Sequence, residues 1–140
     1  FPAFASWAEF QVGDGPPFRV VNVHFEYKSR SNRQLSAALV RDRIAPIIAD
    51  DMPVILMGDL NARHGARTMD ILQEAWLTFL PVDGATYHLN RGLNLFGAID
   101  HIGHSPGLTP ADTPVVLRQQ FSGEWPTDHY PVLVDFDMPQ

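Results

Sequence analysis

Hydrophobic and polar residues alternate along the first part of the chain with the period of two that marks half-buried strands. Residues 7–12 (WAEFQV) read as one strand, and Gly13-Asp14-Gly15-Pro16-Pro17 reads as the turn that ends it. Residues 18–27 (FRVVNVHFEY) read as a second, longer strand. Alternation puts Val21, Val23 and Phe25 on one face and Val20, Asn22 and His24 on the other, so the polar pair leaves from one side of the sheet.

The period then changes. Leu35, Ala38, Leu39, Val40, Ile44, Ile47 and Ile48 recur at helical spacing, and Ser31 with Gln34 fits a capping box. This helix is expected to end near Ala49, ahead of Asp50-Asp51 and Pro53. Residues 53–57 form an apolar run of the kind buried on both faces of a sheet. Thr68 is placed to cap a shorter helix reaching about Ala75. Thr78-Phe79-Leu80, an Asn- and Gly-rich loop over 83–97, a strand at 98–103 and a Pro-punctuated loop at 105–114 follow. Strands at 114–121 and 130–136 complete the reading. Mixed strands with two intervening helices predict an α/β or α+β domain.

Composition narrows this picture. A chain of 140 residues, 45% apolar, suits a single domain with a sizeable core. No apolar run approaches the ~18 residues needed to span a bilayer. The absence of Cys excludes disulfides and thiolate metal sites. The net charge of −6 argues against a broad basic face for unspecific phosphate-backbone binding, though a metal and a few local Arg residues can still hold an anionic substrate. The opening Phe1-Pro2-Ala3-Phe4-Ala5-Ser6-Trp7 has no initiator Met and no signal-peptide pattern, which is expected of a processed or trimmed chain.

Four polar groups stand at strand ends in apolar surroundings: Asn22 with His24, Asp59 with Asn61, Asp100, and Asp128 with His129. A semi-buried His at 24 and turn residues at 59 and 61 would explain the first two without chemistry. Asp100, inside AIDHI, resists that explanation, because a buried carboxylate is costly unless paired. His129 is the natural partner. His101 points to the opposite face from Asp100 and reads as structural. Hydrolysis of a phosphate ester needs a cation to neutralise oxygens, a base for water and a donor near the leaving group. Mg²⁺ takes only one or two carboxylates, and Asp and Asn at strand ends suit it. No HExxH, P-loop, GxSxG or Rossmann fingerprint supports another chemistry.

The segments VNVHFEY (21–27), MGDLNA (57–62), TYH (86–88), AIDHI (98–102) and TDHYPV (127–132) together resemble the endonuclease/exonuclease/phosphatase superfamily of metal-dependent phosphoesterases. The resemblance implies an α+β fold, half of a four-layer α/β/β/α sandwich, with a mixed sheet carrying two helices on one face. It implies that His129 is the catalytic His and Asp100 the carboxylate that orients it. Asp59 would position or deprotonate the attacking water, Asn61 would contact phosphate and help hold a metal, and His24 would bond phosphate. Asp59, Asn61 and Asp128 would be the metal ligands, with Mg²⁺ or Mn²⁺ as cofactor. Arg33 stands where such proteins often carry an Arg, with a structural or anion-binding role. Arg63 and Arg91 read as solvated surface residues.

Val23, Phe25, Ala98, His101 and Thr127 replace residues frequent in those motifs. The family's domain is about double this chain, and its amino-terminal half supplies an Asn and the principal metal-binding Glu. The chain is therefore expected to be the carboxy-terminal portion, with one sheet face uncovered and weak or no turnover until a carboxylate is restored. Two copies pairing sheet to sheet as a homodimer would cover that face. The expected function is Mg²⁺-dependent hydrolysis of a phosphate ester: a nucleic acid, a phospholipid head group or an inositol phosphate. The alternative is an inactive half-domain serving as a dimerising or binding module.

Overall fold

A computed structural model describes residues 3–137. Strand β1 (Phe4–Phe10) turns back through Gly13 into β2 (Phe18–His24), and the two pair antiparallel, Trp7 opposite Val21. Helix α1 (Arg30–Ala49) then carries the chain over the sheet to β3 (Val54–Asp59), which pairs parallel to β2. That order is forced, because parallel neighbours need a long crossover and hairpin turns cannot supply one. Helix α2 (Arg67–Gln73) and β4 (Thr78–Phe79) follow, and β5 (Asp100–His104) inserts antiparallel between β3 and β4. The sheet order is β1-β2-β3-β5-β4. The sheet is mixed and the fold is α+β.

The core lies between the sheet and the helices. Val21 and Val23 of β2 and Val54 and Leu56 of β3 join Ala37, Val40 and Ile44 of α1 and Met69 and Leu72 of α2 in one buried cluster. Each fully buried aliphatic side chain contributes about 1.5–3 kcal/mol. Leu35 and Leu39, which share the helical spacing, remain exposed. The stripe that meets β2 and β3 is the one through Ala37, Val40 and Ile44, and Leu39 lies out beside Ala5 and Trp7 of edge strand β1.

Several element boundaries differ from the sequence reading. The α1 cap is Ser29, whose hydroxyl accepts from the Asn32 N–H at 3.2 Å, so the helix starts ahead of the Ser31-Gln34 pair. Thr68 does not cap α2. It lies inside the helix with its side chain buried, and Ala66 occupies the cap position without a side-chain bond. The loop at 105–114 contains β6 (Thr109–Pro110), while the strands expected at 114–121 and 130–136 shrink to β7 (Val115–Val116), β8 (Val132–Leu133) and β9 (Phe136–Asp137). These pair as two short ribbons, β6 with β9 and β7 with β8. Pro114 and Pro131 immediately precede β7 and β8, and a proline has no N–H to give a ladder.

Two features place the functional residues. Gly58, at φ +131°, lets β3 press against β2 just before Asp59; a Cβ there would sit 2.1 Å from the Val23 carbonyl oxygen. On the sheet face away from the helices, Phe4 and Phe10 of β1 and Met57 of β3 are exposed.

Candidate active site

Strand register assembles the first part of the site. His24 ends β2 opposite Asp59 at the end of β3, and Asp59 in turn faces Asp100 at the start of β5. Directly opposed residues project from the same side of a sheet, so these three form a line across three strands on the face away from the helices. His24 Nε2 lies 3.7 Å from Asp59 Oδ2. The Phe4 ring stands edge-on to the His24 imidazole with centroids 5.9 Å apart.

His129 reaches this line from a distant segment. A bridge pairs Tyr87 with His129, while the His88 N–H donates to the Asp128 carbonyl at 2.8 Å and the Tyr130 N–H donates to the Thr86 carbonyl at 2.7 Å. The imidazole then lies with Nδ1 2.8 Å from Asp100 Oδ2 and Nε2 4.0 Å from Asp59 Oδ2. Thr86 ties both segments together. Its hydroxyl accepts from the Ile99 and Asp100 N–H groups, each at 3.1 Å, so one buried residue braces Asp100 through its side chain and the His129 segment through its backbone. Sequence reasoning marked TYH as a motif and assigned Thr86 no role; its place in that motif was the available signal.

Asn61 completes the group. It adopts φ +47°, a left-handed conformation that Asn tolerates better than most residues. Its N–H donates to Asp59 Oδ1 at 2.7 Å, and its Nδ2 donates to the Phe25 carbonyl at 2.8 Å and to Asp59 Oδ2 at 3.1 Å. The amide is thereby turned so that Oδ1 is the atom left for a cation or a ligand.

The electrostatics follow from burial and proximity. Removal from water holds the Asp59 carboxyl above its ordinary range; the Asn61 N–H works against this and the nearby Asp100 charge reinforces it. His129 is raised as well, chiefly by its hydrogen bond to Asp100, with burial opposing and the charges of Asp100, Asp59 and Asp128 adding. His101 behaves as a structural residue: buried, its Nε2 2.9 Å from the Ala62 carbonyl, and lowered mainly by loss of solvent. His88 is buried against the rings of Trp125 and Tyr130, which also touch each other.

Asp59, Asp100 and His129 offer three ligand atoms all within 4.8 Å of one another, a possible metal-binding triad. The donor chemistry fits a hard divalent cation. Two carboxylates and an imidazole nitrogen converge, and a cation would offset the desolvation and like-charge repulsion that disfavour the Asp59 anion. Asp128, expected among the metal ligands, does not join the triad. Its carboxylate accepts from the Thr127 hydroxyl at 3.3 Å. A cleft of about 280 Å³ opens beside Asp100 and His129, lined also by Asn22 and Met57. A larger groove of about 500 Å³ between β1 and α1 holds none of these groups.

Comparison with known proteins places this geometry. The model of the endonuclease/exonuclease/phosphatase family matches residues 5–129. An endonuclease/exonuclease/phosphatase family protein of Bacteroides thetaiotaomicron superposes with a TM-score of 0.85 at 24% identity, covering 99% of this chain and 57% of that one. A mannosyl-6-phosphatase of the same organism gives 0.83 at 24% identity, covering 96% and 57%. The human Nocturnin catalytic domain with bound sulfate gives 0.71 at 16% identity, covering 95% and 52%. The chain thus spans little more than half the length of these solved structures. No curated protein sequence matches it.

Proposed function

The chain belongs to the endonuclease/exonuclease/phosphatase family, and on that premise we propose that it hydrolyses phosphate esters with Mg²⁺ or Mn²⁺ held by Asp59 and Asn61. The observation that carries the reading is the line His24–Asp59–Asp100 with the His129 imidazole docked on Asp100. The cation, when bound, would supply positive charge to the phosphoryl oxygens.

The side chains divide the remaining work. Asp100 accepts from His129 Nδ1–H, which fixes the ring orientation and leaves Nε2 facing the site. Asp100 also raises the imidazole, which favours the protonated ring, whose Nε2–H donates a hydrogen bond to a phosphoryl oxygen. Nε2 and Asp59 Oδ2 are 4.0 Å apart, too far for a direct hydrogen bond. Asp59 takes the proton of the attacking water on its side of that gap, and His24, beyond Asp59, bonds a phosphate oxygen. The substrate classes consistent with this chemistry are nucleic acids, phospholipid head groups and inositol phosphates.

Hydrolysis of bis(p-nitrophenyl) phosphate by the chain tests the proposal. Slow turnover that requires Mg²⁺ or Mn²⁺ and vanishes in His129→Ala supports it. No cation-dependent turnover together with no rise in Tm on adding Mg²⁺ or Mn²⁺ overturns it and favours a binding module.

We further propose that residues 1–140 form the carboxy-terminal portion of such a domain, with low turnover until a further carboxylate is supplied. The exposed Phe4, Phe10 and Met57 support a covered sheet face. In the isolated chain that cover is a second copy, paired sheet to sheet. Sedimentation of a stable monomer at micromolar concentration would refute the pairing.

A further inference from the structure

A second cavity meets the candidate active site at Asn61, whose Nδ2 bonds Asp59 at 3.1 Å. This cavity, about 400 Å³, is lined by Arg30 and Arg33 of α1, by Arg63 and Arg67 at the approach to α2, and by Asn61. It therefore gathers four of the ten basic residues of a chain whose net charge is −6. No carboxylate lines it among the described residues. Arg67 is partly engaged, 3.2 Å from Glu74. Arg30, Arg33 and Arg63 have no ion pair among the described residues.

The arginines are held in different ways. Arg33 donates through Nη1 to the carbonyls of Glu26 and Tyr27 at 3.0 and 2.8 Å, which anchors the guanidinium at the end of β2 while its charge stays uncompensated. The Arg63 stem packs over Gly97, where an added Cβ would lie 3.7 Å from its Cδ. Arg30 stands in the first turn of α1, which contains no acidic residue. Like charges around one cavity repel one another, and an anion seated among them offsets the repulsion. Guanidinium groups pair with phosphate through parallel N–H donors, which favours phosphate over a simple halide.

We propose that this cavity is a subsite for a second phosphate group of the substrate, so that the enzyme prefers small phosphate esters bearing two phosphates. This rests on the phosphoesterase reading, in which Asn61 contacts the reacting phosphate; the same residue lines the cavity offered to the second. Charge-assisted hydrogen bonds to two guanidinium groups should tighten binding by about tenfold or more over a matched monophosphate.

The test is equilibrium binding, independent of turnover, with the 140-residue chain at fixed ionic strength. The probes are adenosine 3′,5′-bisphosphate against adenosine 5′-monophosphate, and inositol 1,4-bisphosphate against inositol 1-phosphate. The expected result is a margin of about tenfold for at least one bisphosphate, the pair that shows it naming the scaffold. That margin should disappear in Arg30→Ala/Arg63→Ala and persist in His129→Ala. Both arginine side chains are exposed, so the double variant should keep its fold, checked by circular dichroism. An equal affinity within both pairs, or a margin that survives the double variant, overturns the subsite. A margin that is lost as expected in a chain without hydrolytic activity would instead leave the subsite standing and remove the phosphoesterase reading.

Discussion

The Nδ1 of His129 lies 2.8 Å from Oδ2 of Asp100, although 29 residues separate them in the chain. Replacing Asp100 by Asn keeps the shape and removes the charge. The amide can then present an N–H to Nδ1, favouring the tautomer with its proton on Nε2. Phosphoester turnover should fall by about 10²–10⁴-fold with little change in Tm. Kinetics of Asp100→Asn alongside thermal melts check this, and unaltered turnover would show that the pair has no part in the reaction.

Two histidines should shape the pH dependence of stability in opposite senses. His129 is raised above its ordinary 6.5 by Asp100, so its contribution is complete below 6.5 and is lost as pH rises through the folded value. His101 is lowered from 6.5 by burial, so its contribution is present above 6.5 and is lost as pH falls through its folded value. Together they favour a stability maximum around 6.5. Asp59, raised from 3.8 by burial, adds a term that is complete below 3.8 and declines as pH rises through its folded value. Melting temperature against pH should fall on the alkaline side in the parent chain, and this fall should flatten in His129→Gln. An identical alkaline slope in both would contradict the assignment.

Divalent cations should stabilise the chain in the absence of substrate. At a hundred times its Kd, Mn²⁺ or Mg²⁺ would add about 2.7 kcal/mol, a shift on the order of 10 °C in Tm. Asp59→Asn should abolish the shift, and EDTA should reverse it in the parent. A shift that survives Asp59→Asn would move the cation elsewhere.

Thr86 should matter out of proportion to its size. Its hydroxyl accepts from two backbone N–H groups, and the residue is fully buried. In Thr86→Val both donors lose their acceptor, at a cost of about 2–4 kcal/mol. Turnover should fall with it, because one of those donors belongs to Asp100. Thr86→Ser retains the hydroxyl and should recover most of the activity. Denaturant unfolding of both variants decides the matter; a Thr86→Val chain as stable as the parent would refute the bracing role.

Local pattern alone narrowed the class to α/β or α+β, marked the strands around Val21 and Leu56 and the long helix ending at Ala49, and put Asp59, Asn61, Asp100 and His129 at strand ends. Those features repeat every two or every 3.6 residues or sit at strand ends, so they are written within a few positions of themselves. Tertiary structure decided what no local period encodes. The register of three strands aligned His24, Asp59 and Asp100, and the Tyr87–His129 bridge brought the imidazole to them. Thr86 found its donors 13 and 14 residues downstream, and α1 and the approach to α2 brought Arg30 and Arg63 around one cavity. Leu39 stayed outside beside β1, the edge of the sheet, a position set by which strands pair and in what order. Pairing is a long-range choice made by the whole core, and it converts scattered polar residues into one site.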